Sequence, residues 1–262
     1  MEIINYLGSP LKLDTGGRVT WRDVPGWFDF MDLYDEVAMT TPPYSTIVEV
    51  GVCFGKSLLY LAQKIRESGK DIKLVAVDGW RDYPGHKFIY DPEDSDANVA
   101  AVNDLSKAEQ DAYAYARKFG GTFQAFMHNL RASGFADMVQ VIRADSVEAS
   151  ALFTDGTSNS VSPYFVFIDA DHEYLPVKAD IDAWWATGPE WMAGHDYNRG
   201  SEVNFPGTWK AVEDKWGRSN VGWRNHTCWT VRRSHLERPD KAYRLAPPVQ
   251  ESMTARQYAE RP

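Results

Sequence analysis

Thr46-Ile47-Val48-Glu49-Val50-Gly51-Val52-Cys53-Phe54-Gly55-Lys56-Ser57 is the stretch on which the fold turns. A short β-branched run closed by a glycine reads as a buried strand. After Gly55 the apolar period changes: Leu58, Leu61, Ala62 and Ile65 fall on one helical face, and Gly69 is placed to cap it. A second strand follows at Ile72–Asp78, with Leu74, Val75, Ala76 and Val77 apolar and an acid at its end. Strand, glycine turn, helix and strand make the βαβ unit of a parallel sheet.

The alternation continues in both directions. Upstream, Gly26–Met39 interleaves apolar residues with acids and reads as a helix, which Thr41-Pro42-Pro43 stops. Downstream, helices are expected at about Leu105–Phe119 and Thr122–Ser133, and a third strand at Met138–Arg143. Tyr164–Asp169 is the most apolar strand, and a helix with Pro176 near its start follows. A short strand near Glu190–Ala193, a helix marked by Trp209, Val212 and Trp216, and a strand or hairpin at Trp223–Val231 complete the pattern. This gives an N-terminal helical cap at 1–40, one α/β domain at 41–236 and a flexible tail at 237–262. A polar, acidic insert at about 81–103 is long for a loop and reads as a lid or a disordered segment.

Open parallel sheets bind ligands beyond the carboxyl ends of their strands. Here those ends carry Glu49 and Gly51, Asp78, Asp145, Asp169, and His195 with Asp196. One acid at a strand end is unremarkable; five in succession describe a site. The spacing Gly51-x-x-x-Gly55 differs from both the dinucleotide fingerprint and the P-loop. It fits a ligand bearing one carboxylate and an amine better than one bearing a pyrophosphate, or else it is only a tight strand-to-helix turn. Asp78 is placed to accept from two ribose hydroxyls, or is a solvated strand-end acid. Asp145 with Ser146 lies where an adenine would reach, or caps the helix beginning at Val147.

Composition narrows the partners. A net charge of −9 argues against a nucleic-acid binder. No apolar stretch approaches the ~20 residues of a membrane span. Two cysteines, Cys53 and Cys228, form neither a disulfide framework nor a CxxC metal site, and a cytoplasmic location is expected. The sequence leaves open whether the chain forms a homo-oligomer.

Val48-Glu49-Val50-Gly51 with Gly55-Lys56-Ser57, Val77-Asp78-Gly79-Trp80, Phe167-Ile168-Asp169-Ala170-Asp171-His172-Glu173-Tyr174 and Ala193-Gly194-His195-Asp196-Tyr197 occur in that order. Together they resemble the class I S-adenosylmethionine-dependent methyltransferases. The likeness is to the small-molecule branch that includes macrocin-type sugar O-methyltransferases and cephalosporin-hydroxylase-like proteins; catechol-type enzymes are more distant. It covers about Thr41–Val231. It implies a Rossmann-like, seven-stranded, mostly parallel sheet with helices on both faces. The implied S-adenosylmethionine site comprises Glu49, Gly51, Gly55, Ser57, Asp78, Gly79, Trp80, Asp145, Ser146 and Asp169. The implied chemistry is methylation of a hydroxyl on a small polar acceptor, such as a sugar or glycosylated metabolite, with N-methylation left open.

The resemblance also implies a divalent cation, magnesium or manganese, on Asp169 and Asp196, with His195 where some relatives carry another acid. Imidazole in the ligand set tilts the preference from magnesium toward manganese, iron or zinc. The alternative is a hydrogen-bonded His195-Asp196 turn beside the cofactor. His172 is the general-base candidate, acting with Asp169, because an ordinary imidazole titrates at about 6.5; otherwise it structures the loop after Asp169 or packs against the cofactor. Two other functions remain open at this point: an NAD(P)-dependent oxidoreductase, and a non-catalytic module that binds S-adenosylmethionine.

Overall fold

A computed structural model describes residues 1–4, 18–81, 105–154, 162–197 and 205–237. Apart from Arg81 and Glu237, the expected acidic insert and tail lie outside the described residues. The strands are β1 (Glu2–Ile4), β2 (Thr46–Val50), β3 (Lys73–Asp78), β4 (Val139–Arg143), β5 (Phe165–Ile168), β6 (Trp191–Gly194), β7 (Gly222–Arg224) and β8 (Cys228–Arg232). They form one sheet in the order β1-β4-β3-β2-β5-β6-β8-β7. The five central strands are parallel; β1, β7 and β8 pair antiparallel at the edges.

The expected α/β class and mostly parallel sheet hold, with eight strands among the described residues in place of seven. The additional strand is β1, whose Ile3 pairs with Ile142. Three residues are too few to show a period, and their ladder partner lies far along the chain. Residues 1–40, expected as a helical cap, thus supply both this edge strand and helix α1 (Met31–Thr40), whose Leu33, Tyr34 and Val37 are buried in the shared core.

That helix begins at Met31, not at the expected Gly26. Phe28 and Phe30 turn inward while Trp27 and Asp29 are exposed, an alternation of two proper to extended chain. Phe28 packs against Trp21, Phe30 and Tyr60 at ring separations of 5.8, 4.8 and 5.1 Å. Aromatic packing overrides the helical pattern here.

Helix α2 (Lys56–Ser68) starts after Gly55 and ends at Gly69, both left-handed with φ of 87° and 68°. The remaining helices are α3 (Lys107–Phe119), α4 (Thr122–Ala132), α5 (Ser146–Ser150), α6 (Tyr174–Ala186), α7 (Pro206–Trp216) and α8 (Arg233–Leu236). Side chains of α1, α2 and α4 cover one sheet face with Ile47, Leu74 and Phe165; those of α6 and α7 cover the other with Val48, Val75 and Val166. The period-2 alternation of β2 therefore turns Glu49 toward the same face as Ile47, where it is 1% exposed. Its carboxylate accepts from Tyr34 Oη at 2.8 Å and Ser57 Oγ at 2.6 Å, tying α1 and α2 to the central strand.

Burial pushes the Glu49 carboxyl up to about 7, although the Ser57 and Tyr34 hydrogen bonds pull against it. In the unfolded chain such a group ionises near 4.5. The folded state therefore holds the proton between these values, and stability falls as pH rises through that window, by about 3 kcal/mol at most. Glu49→Gln should flatten that slope in urea denaturation followed from pH 5 to 8. Parallel curves for the two proteins would show that Glu49 folds already ionised.

Candidate active site

The loop after β2 is fixed by backbone close to backbone. Gly51 has φ +84°, and a Cβ there would lie 2.0 Å from the carbonyl oxygen of Asp169. Only glycine lets the ends of β2 and β5 come together in this way. Cys53 N–H donates to Asp78 Oδ2 at 2.8 Å, and Trp80 N–H to Asp78 Oδ1 at 2.6 Å. Asn129 Nδ2 donates to the Phe54 carbonyl at 3.0 Å. Burial raises the Asp78 pKa, and the amides of Trp80 and Cys53 only partly offset it, so it ionises above the usual carboxylate value.

At the end of β4, Asp145 Oδ1 accepts from the amides of Val147 (2.9 Å) and Glu148 (3.4 Å), which makes it the cap of α5. Ser146 Oγ accepts from Trp184 Nε1 at 3.0 Å. Beside it Asp180 is 6% exposed, hydrogen-bonded to Ser146, and pushed by burial up to about 7. The sequence reading passed over Asp180. Its signal was an acid on the inward face of α6, one residue before Ile181 and four before Trp184.

The ends of β5 and β6 bring together the remaining polar groups. His172 Nε2 lies 2.7 Å from Asp196 Oδ2. His195 Nδ1 lies 3.3 Å from the same oxygen and 3.6 Å from Asp169 Oδ1. His195 Nε2 meets Asp29 Oδ1 at 3.1 Å, a partner the sequence reading missed. Asp196 sits in the left-handed region at φ 56°, which turns its carboxylate back toward both imidazoles. Phe205 stacks on the His172 ring at 4.2 Å.

Burial alone would lower the pKa of both imidazoles. For His172 the Asp196 hydrogen bond and charge outweigh it, and for His195 the Asp169 charge and the hydrogen bonds of Asp169, Asp196 and Asp29 do, far more strongly. Burial opposes ionisation of Asp196, yet the two histidines hold its pKa far below the usual range. One oxygen or ring nitrogen each from Asp169, His195 and Asp196 lie within 4.8 Å of one another, the spacing of a ligand set for one cation.

These groups share one cavity of about 730 Å³, whose walls include Gly51, Ser57, Asp78, Gly79, Asp145, Ser146, Asp169, His172, His195 and Asp196. Glu49, Gly55 and Trp80, expected beside the cofactor, are not among the described residues that line it. Glu49 is sealed beneath the loop by Tyr34 and Ser57. Gly55 abuts Phe126, whose ring carbon would lie 3.0 Å from a Cβ. Trp80 turns into the core, where it stacks on Phe126 at 4.8 Å and donates its indole N–H to the Cys53 carbonyl at 2.7 Å. All three support the loop from behind. Trp27, Lys56, Arg81, Asp180 and Phe205 also line the wall, and none of them was assigned a role from the sequence.

A family model described as a methyltransferase domain matches residues 48–197. Among solved structures, the O-methyltransferase NovP is 14% identical over 78% of this chain and 77% of its own, with a TM-score of 0.49. A putative rRNA methylase from Clostridium thermocellum is 11% identical over 77% of this chain and 95% of its own, at 0.44. The rRNA methyltransferase aviRa from Streptomyces viridochromogenes is 16% identical over 87% and 96%, at 0.41. No curated protein matches the chain in sequence. The structural likenesses are distant, and the assignment rests on the family match. That match spans more than half the chain and takes in β2 to β6, whose ends form the cavity, and the chain therefore belongs to the methyltransferase-domain family as an S-adenosylmethionine-dependent methyltransferase.

Proposed function

We propose that the chain methylates a hydroxyl on a small polar acceptor, a sugar or glycosylated metabolite, with a divalent cation held by Asp169, His195 and Asp196. One observation carries this reading: Asp169 belongs to both halves of the cavity. Its carbonyl is pressed against Gly51, on the cofactor loop, while its carboxylate faces His195.

The residues present suit both groups. Asp78 accepts backbone bonds from Cys53 and Trp80 on separate oxygens, and a carboxylate has lone pairs enough to accept from a ribose hydroxyl as well. The start of α2 offers backbone N–H donors to the carboxylate of an amino acid. S-adenosylmethionine, when bound, supplies the methyl group as an electrophile on sulfur. Two carboxylates and an imidazole form a mixed donor set that suits manganese, iron or zinc better than magnesium; a cation there would lower the pKa of an acceptor hydroxyl.

The remaining work falls to the chain's own side chains. Asp196 orients the His172 ring through their 2.7 Å contact, and His172 takes up the acceptor's proton. The walls exclude water and align the acceptor oxygen, which is most of what a methyl displacement asks of a protein. A cavity of about 730 Å³ has room for a nucleoside-sized ligand and a small second molecule. The net charge of −9 disfavours an RNA acceptor.

S-adenosylhomocysteine should bind in calorimetry, and Asp78→Ala should weaken it by about tenfold or more, the loss of a charged hydrogen-bond partner. Binding of NAD instead would sink the cofactor assignment. With labelled S-adenosylmethionine and a panel of sugars and phenols, transfer should require a cation and stop with chelator. His172→Ala should cut kcat by about 100-fold with S-adenosylhomocysteine affinity unchanged. Full transfer in excess chelator would exclude the cation, and an unaltered kcat would exclude His172 as the base.

A further inference from the structure

We propose that Asp29 is a positioning residue that holds His195 by Nε2 and so presents Nδ1 to Asp169 and Asp196. The inference rests on the cation reading above in one respect only, the use to which Nδ1 is put. Asp29 and its second partner both lie outside the family-matched residues 48–197.

The geometry is specific. Asp29 Oδ1 lies 3.1 Å from His195 Nε2 and also accepts from Thr227 Oγ1 at 3.0 Å. Thr227 comes from the turn between β7 and β8, so the carboxylate is fixed from a second element. The flanking residues hold its backbone: Phe28 is packed among aromatic rings, and Phe30 is fully buried. The Phe30 ring lies 5.1 Å from that of His195 and limits its tilt.

A cation binds only the neutral imidazole, so the chemical question is which ring nitrogen keeps its proton when one is bound. Asp169 and Asp196 both face Nδ1, and together they draw a proton to that nitrogen. A proton there occupies the lone pair that a cation needs. Asp29 offers an acceptor on the opposite side of the ring and favours the Nε2–H tautomer, which leaves Nδ1 as the ligand. A carboxylate on the far nitrogen of a ligating histidine commonly acts in this way, and its loss typically lowers metal affinity by about 10–100-fold.

The test titrates Mn2+ into protein saturated with S-adenosylhomocysteine, for the wild type, Asp29→Ala and Asp29→Asn. Asp29→Ala should bind Mn2+ about tenfold more weakly. Asp29→Asn, which keeps an oxygen for Nε2–H, should recover much of the loss, and S-adenosylhomocysteine affinity should be the same in all three. Wild-type Mn2+ affinity in Asp29→Ala overturns the proposal. In parallel, 15N NMR of the metal-free protein follows the His195 ring. The Nε2–H signal should be protected from exchange in the wild type and Asp29→Asn, and lost in Asp29→Ala. Should the wild type bind S-adenosylhomocysteine but no Mn2+, the cation reading fails, and the ring signal decides by itself. An Nε2–H signal unaltered in Asp29→Ala would then rule out positioning by Asp29.

Discussion

The close approach of Gly51 to the Asp169 carbonyl is the constraint on which the site depends. It occurs where two neighbouring parallel strands, β2 and β5, end together at the centre of the sheet. Their following helices leave in opposite directions, α2 to the face of Ile47 and α6 to the face of Val48. A crevice opens wherever adjacent connections diverge in this manner. A side chain at position 51 would force the strand ends apart and separate the cofactor loop from the acids beyond it. The fold supplies the crevice, and one glycine keeps its two lips at working distance.

Around that crevice the chain buries more carboxylates than its core can easily solvate. Glu49 and Asp180 are each pushed up to about 7 by burial, whereas Asp196 is held low by two histidines. The contrast follows from partners: among the described residues Glu49 accepts from the hydroxyls of Tyr34 and Ser57, whereas Asp196 meets imidazoles. Neutral hydrogen bonds satisfy a buried carboxyl in either protonation state, but a cationic partner fixes it as the anion. Glu49 therefore ties α1 and α2 to β2, and the two histidines favour the anionic form of Asp196 beside the cavity.

Much of this was legible in the sequence because it is local. The βαβ unit at 46–78 announces itself by a change of period at Gly55, and acids at strand ends follow from where strands stop. What escaped depends on contacts far apart in the chain. Asp29 reaches His195 across 166 positions, and nothing in the pattern around Trp27–Phe30 distinguishes it from the other acids of that segment. Strand β1 is set by pairing with β4, not by its own three residues. Trp80 and Glu49 sit inside the motif yet turn away from the cavity. Motif membership identifies the turn, whereas the direction of each side chain depends on the pleat and on what packs behind it.

The electrostatic character of the cavity also bears on which ligand suits it. Asp78, Asp145, Asp169, Asp171, Asp180 and Asp196 all line its wall, against Lys56 and Arg81 among the cationic residues there. Lys56 is half-buried and donates to the Val24 carbonyl at 3.0 Å, which draws it toward the chain that precedes α1. Such a wall repels the paired phosphates of a nicotinamide dinucleotide and attracts a sulfonium. The carboxylate of an amino acid would need only local relief, which backbone N–H groups at the start of α2 can offer. As the methyl group leaves, the positive charge on sulfur is lost, and with it some attraction to these acids. A purely acidic wall would thus oppose the forward reaction by favouring the charged reactant. On the proposed reading, imidazoles and a cation on the acceptor side, next to the oxygen that sheds its proton, would offset that bias where the bond forms.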